Sequence, residues 1–269
     1  GLTNGTPYVM SIPEIANDNA FRTKYGKNKA VDVTFNKTIW NANITDQQKD
    51  HAAQGTEMSR VEDGEWDPTN PNVFYFLTTE SNKFPTSTAP NPAEPTFSRD
   101  GGGLWRLTFV DGQNPDKGAK LELLLDGSEA PYLSKPDNLA VTPNGVVIIQ
   151  EDPGNNGHVS RIVAFRTSDS KLAVIAEFNK EYFAPGAAKF MTVDEESSGI
   201  IDATSLFARN GDTNSYYLFN TQIHTTGVMT ARPDIAWKSK AAKATADKIA
   251  IEGGAYYLMT ISNWGDVFK

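Results

Sequence analysis

The stretch that decides the fold is 135–152, KPDNLAVTPNGVVIIQED. Two apolar runs, 139–142 and 146–150, are separated only by Pro143-Asn144-Gly145. Asn-Gly accepts the positive φ values that a tight hairpin demands, so the two runs read as antiparallel neighbours. Similar short runs lie on either side: 73–79 (VFYFLTT), 104–109 (LWRLTF), 121–126 (LELLLD), 161–166 (RIVAFR), 172–178 (LAVIAEF), 215–223 and 255–261. Each is rich in aromatic and β-branched residues and bounded by Gly, Pro, Asn or Asp. A parallel sheet would need a helix between successive strands. Only 239–249 (SKAAKATADKI) reads as helical, near the C-terminus. The expectation is an all-β, antiparallel sandwich, barrel or propeller.

Composition agrees with one globular unit. The 269 residues are 39% hydrophobic and 22% charged, with a formal net charge of -8. They read as one propeller-like domain over 1–269, a fragment of a longer chain or a shorter relative; four-stranded blades of about 40–45 residues would give about six. The acidic balance argues against nucleic acid as a partner. It suits sites that gather cations, because clustered carboxylates repel one another until a metal neutralises them. No apolar run approaches the roughly 20 residues of a membrane helix. With no cysteine, disulfides and thiolate metal sites are excluded. Residues 81–99, rich in Pro, Ser, Thr and Asn, read as a long surface loop. The opening sixty residues carry a weaker pattern.

Four segments carry chemistry. In 60–68 (RVEDGEWDP), Arg60 and Glu62 share a face if the chain is extended. An arginine beside a metal-bound carboxylate can grip phosphate with its planar fork; the same residues also suit a solvated charged turn. Asp137-Asn138 offers two hard oxygen ligands or an Asx turn ahead of a strand. Glu151-Asp152 ends an apolar strand at a glycine-rich loop, which fits an oxygen-ligand site or a plain acidic turn. Asp194-Glu195-Glu196 places three acids before Ser197, repulsive unless solvated or metal-bound. No G-x-S-x-G elbow surrounds Ser197, which argues against a serine hydrolase. His224, one of three histidines, reads as structural.

Taken together, RVEDGEWDP, NPNVFYFLTTE, GGGLWRLTF, LELLLDG, KPDNLAVTPNG, IIQEDPGNNGH and DEESSGIID, in that order from Arg60 to His224, resemble the PhoX-type alkaline phosphatase family. The resemblance implies a β-propeller exported from the cytoplasm, to the periplasm or beyond, that hydrolyses phosphate monoesters at a cluster of calcium and iron ions. It implies that Arg60 contacts phosphate and Glu62 binds metal. Asp137, Asn138, Glu151 and Asp152 fall in the family's acidic strand-end segment, and Glu195 and Glu196 in a later carboxylate segment. The cysteine that ligates iron in characterised members is missing here, which leaves calcium as the expected ion. The alternative is a non-catalytic propeller, stabilised by calcium, that binds a protein partner.

Overall fold

The computed structural model describes residues 5–79, 102–152, 158–224 and 252–269. The hairpin 135–152 forms as read. β7 (Pro136–Val141) pairs antiparallel with β8 (Val146–Glu151), Val141 lying opposite Val147. β9 (Arg161–Arg166) and β10 (Lys171–Glu177) continue the meander, giving a four-stranded sheet in the order β10-β9-β8-β7. Every residue of β8 is buried, because both faces of this sheet are covered. That is why its apolar run does not alternate.

A second sheet holds six strands in the order β1-β2-β6-β5-β4-β3. Its meander comprises β3 (Val61–Trp66), β4 (Val73–Thr78), β5 (Gly103–Phe109) and β6 (Ala119–Leu125). β2 (Val31–Lys37) and β1 (Tyr8–Ser11) extend it beyond β6. The third sheet is β11 (Glu195–Asp202), β12 (Ser215–His224) and β13 (Glu252–Ile261). All the strand pairings within these sheets are antiparallel. The expectation of antiparallel all-β sheets holds, and each of the strand-like runs is a strand.

Helix was expected only at 239–249, which lies outside the described residues, as does the loop 81–99. Two helices stand instead in the opening sixty residues: α1 (Asp18–Tyr25) and α2 (Ile44–Gln54). The side chains of Asn17 and Asn43 accept hydrogen bonds from the amides of Ala20 and Asp46, so each helix begins on an ordinary N-cap. Both are short, and α2 buries no side chain, so the apolar periodicity that announces a helix is weak. Single turns follow at α3 (Lys180–Phe183), α4 (Thr204–Phe207) and α5 (Trp264–Val267). Among the described residues no helix is long and apolar enough to cross a membrane.

The core is layered. Val73, Tyr75 and Leu77 meet Leu139, Val141, Ile149 and Phe165 between the first two sheets. On the other face of the six-stranded sheet, Phe76, Trp105, Leu107 and Leu121 pack against Ile12, Ile15 and Phe21 of the N-terminal segment. Ala140, Ile148 and Ala164 pack against Ile200, Tyr217 and Phe219 of the third sheet. This stacking brings the terminal strand β7 against both β3 and β11.

Three terminal strands side by side expose unpaired backbone edges, and buried backbone groups need partners. Side chains of the neighbouring sheet supply them. The Asp63 carboxylate accepts from the Leu139 amide (3.1 Å), and that of Glu65 from the Val141 amide (2.6 Å). Asn138 Oδ1 accepts from the Gly199 amide (2.7 Å) and the Ser198 hydroxyl (2.6 Å). Gln150 Oε1 accepts from the Ile200 amide (3.0 Å).

Candidate active site at the starts of three strands

β3, β7 and β11 begin in the same way. Arg60, Lys135 and Asp194 immediately precede them, and their carbonyls accept from the amides of Thr79 (3.0 Å), Asp152 (2.8 Å) and His224 (2.9 Å). The first ladder pairs then match: Val61 with Thr78, Pro136 with Glu151, Glu195 with Ile223. Two residues after each of those carbonyls comes an acid: Glu62, Asp137 and Glu196. The sequence has no visible repeat, yet three strands offer a carboxylate at their second residue; Glu62 and Asp137 fall where their ladders shift register, while Glu196 lies opposite Gln222. Arg60 and Lys135 both hold φ at +46°, a left-handed value uncommon outside glycine, asparagine and aspartate. Backbone strain of this kind gathers at functional sites.

The acids feel one another. Burial first, and then the charges of Glu62, Asp152 and Asp63, push the Asp137 carboxyl up to about 6, with Arg60 opposing. Burial, and then Asp152 and Asp137, push Glu196 up to about 7, against the pull of His224. Glu62, Asp137, Asp152 and Glu196 thus form one electrostatic cluster. Beside it lie Arg60, whose Nε is 3.7 Å from Glu62 Oε1, and His224, whose Nε2 is 3.8 Å from Glu196 Oε2. Sequence reading treated His224 as structural; its place opposite Asp194 emerges only from the strand register.

The remaining expected residues sit behind this cluster. Glu151 is fully buried, and both its oxygens are occupied. Arg161 grips them at 2.9 and 2.6 Å, His158 lies at 3.1 Å, and the Ser134 amide donates at 2.9 Å. Burial would raise the Glu151 carboxyl, but the hydrogen bonds from Arg161 and His158 outweigh it and hold it below its ordinary value. Arg161 also donates to the carbonyls of Pro131 and Tyr132, tying the loop before β7 to the same knot. Asn138 is engaged by β11 as described above. Glu195 is buried, accepts from the Ser160 amide at 2.9 Å, and its other oxygen has no protein partner; burial raises its carboxyl. Sequence reading missed Asp63, Glu65 and Arg161, although the alternation of Asp63 and Glu65 in EDGEW was a usable signal for one shared face.

With this geometry in view, the comparisons with known proteins become informative. A family model described as alkaline phosphatase PhoX matches residues 2–204. The chain belongs to the PhoX alkaline phosphatase family. The match spans β1 to the start of α4 and so includes Arg60, Glu62, Asp137, Asp152 and Glu196. None of the curated proteins and none of the solved structures matches the chain.

The PhoX family is one of metal-dependent phosphatases, typically extracytoplasmic. The side chains here fit a hard cation in kind: they are oxygen donors, partly buried, whose protonation is favoured by mutual repulsion. Their spacing is looser, since among the described residues no three His, Asp or Glu side chains are gathered as a metal-holding group.

Proposed function

We propose that this chain is a metal-dependent phosphoric monoester hydrolase acting outside the cytoplasm. Its three meanders would be blades of a propeller, and β3, β7 and β11 the inner strands. The observation that carries this reading is the placement of Glu62, Asp137 and Glu196 at the second residue of three strands packed side by side, with Asp152 and Arg60 beside them, in a chain of the PhoX family.

In this reading Glu62, Asp137, Asp152 and Glu196 would hold calcium, while Asn138, Glu151 and Glu195 support them from behind. A bound cation there would supply Lewis-acid polarisation of the phosphoryl group. The chain's own contribution begins with Arg60. Its guanidinium, on the partly exposed side of the Glu62 pair, orients a phosphate and stabilises charge that grows on the phosphoryl oxygens. His224, 3.8 Å from Glu196, flanks the cluster on its β12 side. The knot of Glu151 and Arg161 fixes the end of β8, and with it Asp152, so that the site needs little reorganisation.

The test is Arg60→Ala in the calcium-loaded protein. Loss of one transition-state donor should lower kcat/KM for a phosphate monoester about a hundredfold or more, with the melting temperature nearly unchanged. A wild-type protein without phosphatase activity in the presence of calcium would overturn the enzymatic reading. A second reading rests on the Arg60–Glu62 pair at 3.7 Å serving structure: cations only brace the three strands and a face of the domain binds a protein partner. Under that reading Arg60→Ala lowers stability and there is no activity to lose.

A further inference from the structure

α2 is an unusual cover for a sheet. It buries none of its side chains and is fastened by polar bonds. The Asp50 carboxylate takes the Thr38 hydroxyl and the Ile39 amide, Asn36 donates to the Gln54 carbonyl at 2.9 Å, and Gln47 donates to the Trp40 carbonyl at 3.0 Å. Held off in this way, the helix leaves a cleft of about 1060 Å³ between itself and the six-stranded sheet. Phe74, Phe76, Leu107 and Met58 form the apolar wall, and Ala52 of α2 faces them. Phe76 and Leu107 are buried at the floor of the cleft, while Phe74 and Met58 are only partly covered and Val61 is exposed, so apolar surface remains for another apolar group.

The cleft is continuous with the candidate site, because Val61 and Glu62, the first two residues of β3, line it. Arg60, whose Nε lies 3.7 Å from Glu62 Oε1, therefore stands at this end of the cleft. Charge narrows the occupant further. The ionisable side chains along the described wall are His51, Glu57 and Glu62, and no lysine or arginine joins them. A second anionic group on the substrate would meet carboxylates and find no cation.

Resting on the phosphatase reading above, we propose that this cleft receives the leaving group of the substrate, and that the preferred substrates are phosphate monoesters of aromatic alcohols that carry no second anionic group. Burying a fused aromatic ring rather than a methyl group is worth on the order of a hundredfold in binding when the area is fully covered. About tenfold or more is expected in an open cleft.

The test compares 1-naphthyl phosphate, methyl phosphate and 3-phosphoglycerate with the calcium-loaded protein. The naphthyl ester should exceed methyl phosphate about tenfold or more in kcat/KM, and exceed the carboxylate-bearing ester. Ala52→Trp, on an exposed helix position, narrows the cleft and should lower the naphthyl-to-methyl ratio severalfold. Equal rates for naphthyl and methyl esters, a preference for 3-phosphoglycerate, or a ratio unmoved by Ala52→Trp would overturn the proposal. Fluorescence titration with 1-naphthol separates the two readings. If no ester is hydrolysed, the phosphatase reading fails, while saturable naphthol binding that Ala52→Trp weakens still supports the cleft. Absence of such binding overturns it.

Discussion

Replacing Arg161 with alanine tests how the site is built. Glu151 is fully buried, and Arg161 supplies two of its four donors, at 2.9 and 2.6 Å. The substitution leaves a buried carboxylate with His158 and one backbone amide, and removes the donor from two loop carbonyls. Breaking a buried pair by removing one partner costs about 3–5 kcal/mol. At roughly 2–4 °C per kcal/mol for a chain near this size, the melting temperature should fall by about 10 °C. The penalty should depend on pH. In the native chain Glu151 lies below its ordinary value, so its contribution is present above pH ~4.3 and lost as pH falls through the lower folded value. In the variant, burial without the guanidinium raises that carboxyl, and protonation relieves it. The stability difference measured by urea unfolding should therefore be larger at pH 8 than at pH 5. If Arg161→Ala shifts melting by less than about 2 °C, or weakens calcium binding while leaving cation-free stability intact, then the Glu151 knot is not the structural brace inferred here.

Three further outcomes are expected. Asp137 and Glu196 titrate near 6 and 7 in the fold, above ordinary carboxyl values, so the folded cation-free protein holds more protons than the unfolded chain between pH ~4 and ~7. Its stability should fall by about 2 kcal/mol across that window, allowing for solvent screening, and calcium should raise the melting temperature more at pH 8 than at pH 5; equal shifts at both would count against a shared cation. Asn138→Ala removes the acceptor for Ser198 and Gly199 and should cost about 1–2 kcal/mol in chemical unfolding without changing calcium affinity measured by calorimetry. Gly102→Ala should destabilise more strongly, by about 2 kcal/mol or more. The residue has φ +56°, and a Cβ there would come within 2.0 Å of the Thr78 carbonyl oxygen; an unchanged melting curve would contradict that close approach.

Much of the fold was legible in local pattern, and the reason is physical. Strand propensity and the Asn-Gly turn act over a few residues, so 135–152 announces its hairpin without help from the rest of the chain. The same holds for the acidic character of the site: Glu62, Asp137, Asp152 and Glu196 stand out because adjacent charges next to apolar strands are costly. Tertiary structure decided the rest. β11 begins with two acids, Glu195 and Glu196, and carries two serines and a glycine, and only pairing with β12 and packing on β7 make it a strand. α2 has no apolar face to read because it buries none. Above all, Glu62 and Glu196, 134 residues apart in sequence, both come within reach of the Asp137 charge only once β3 and β11 pack against β7. The same packing divides the acids by environment. Arg161 claims Glu151, while Asp137 and Glu196 are raised first by burial and then by neighbouring carboxylates. Sequence determined which strands could form and which residues could bind a cation; the stacking of three sheets decided which carboxylates meet, because charge coupling falls with distance and distance is set by packing.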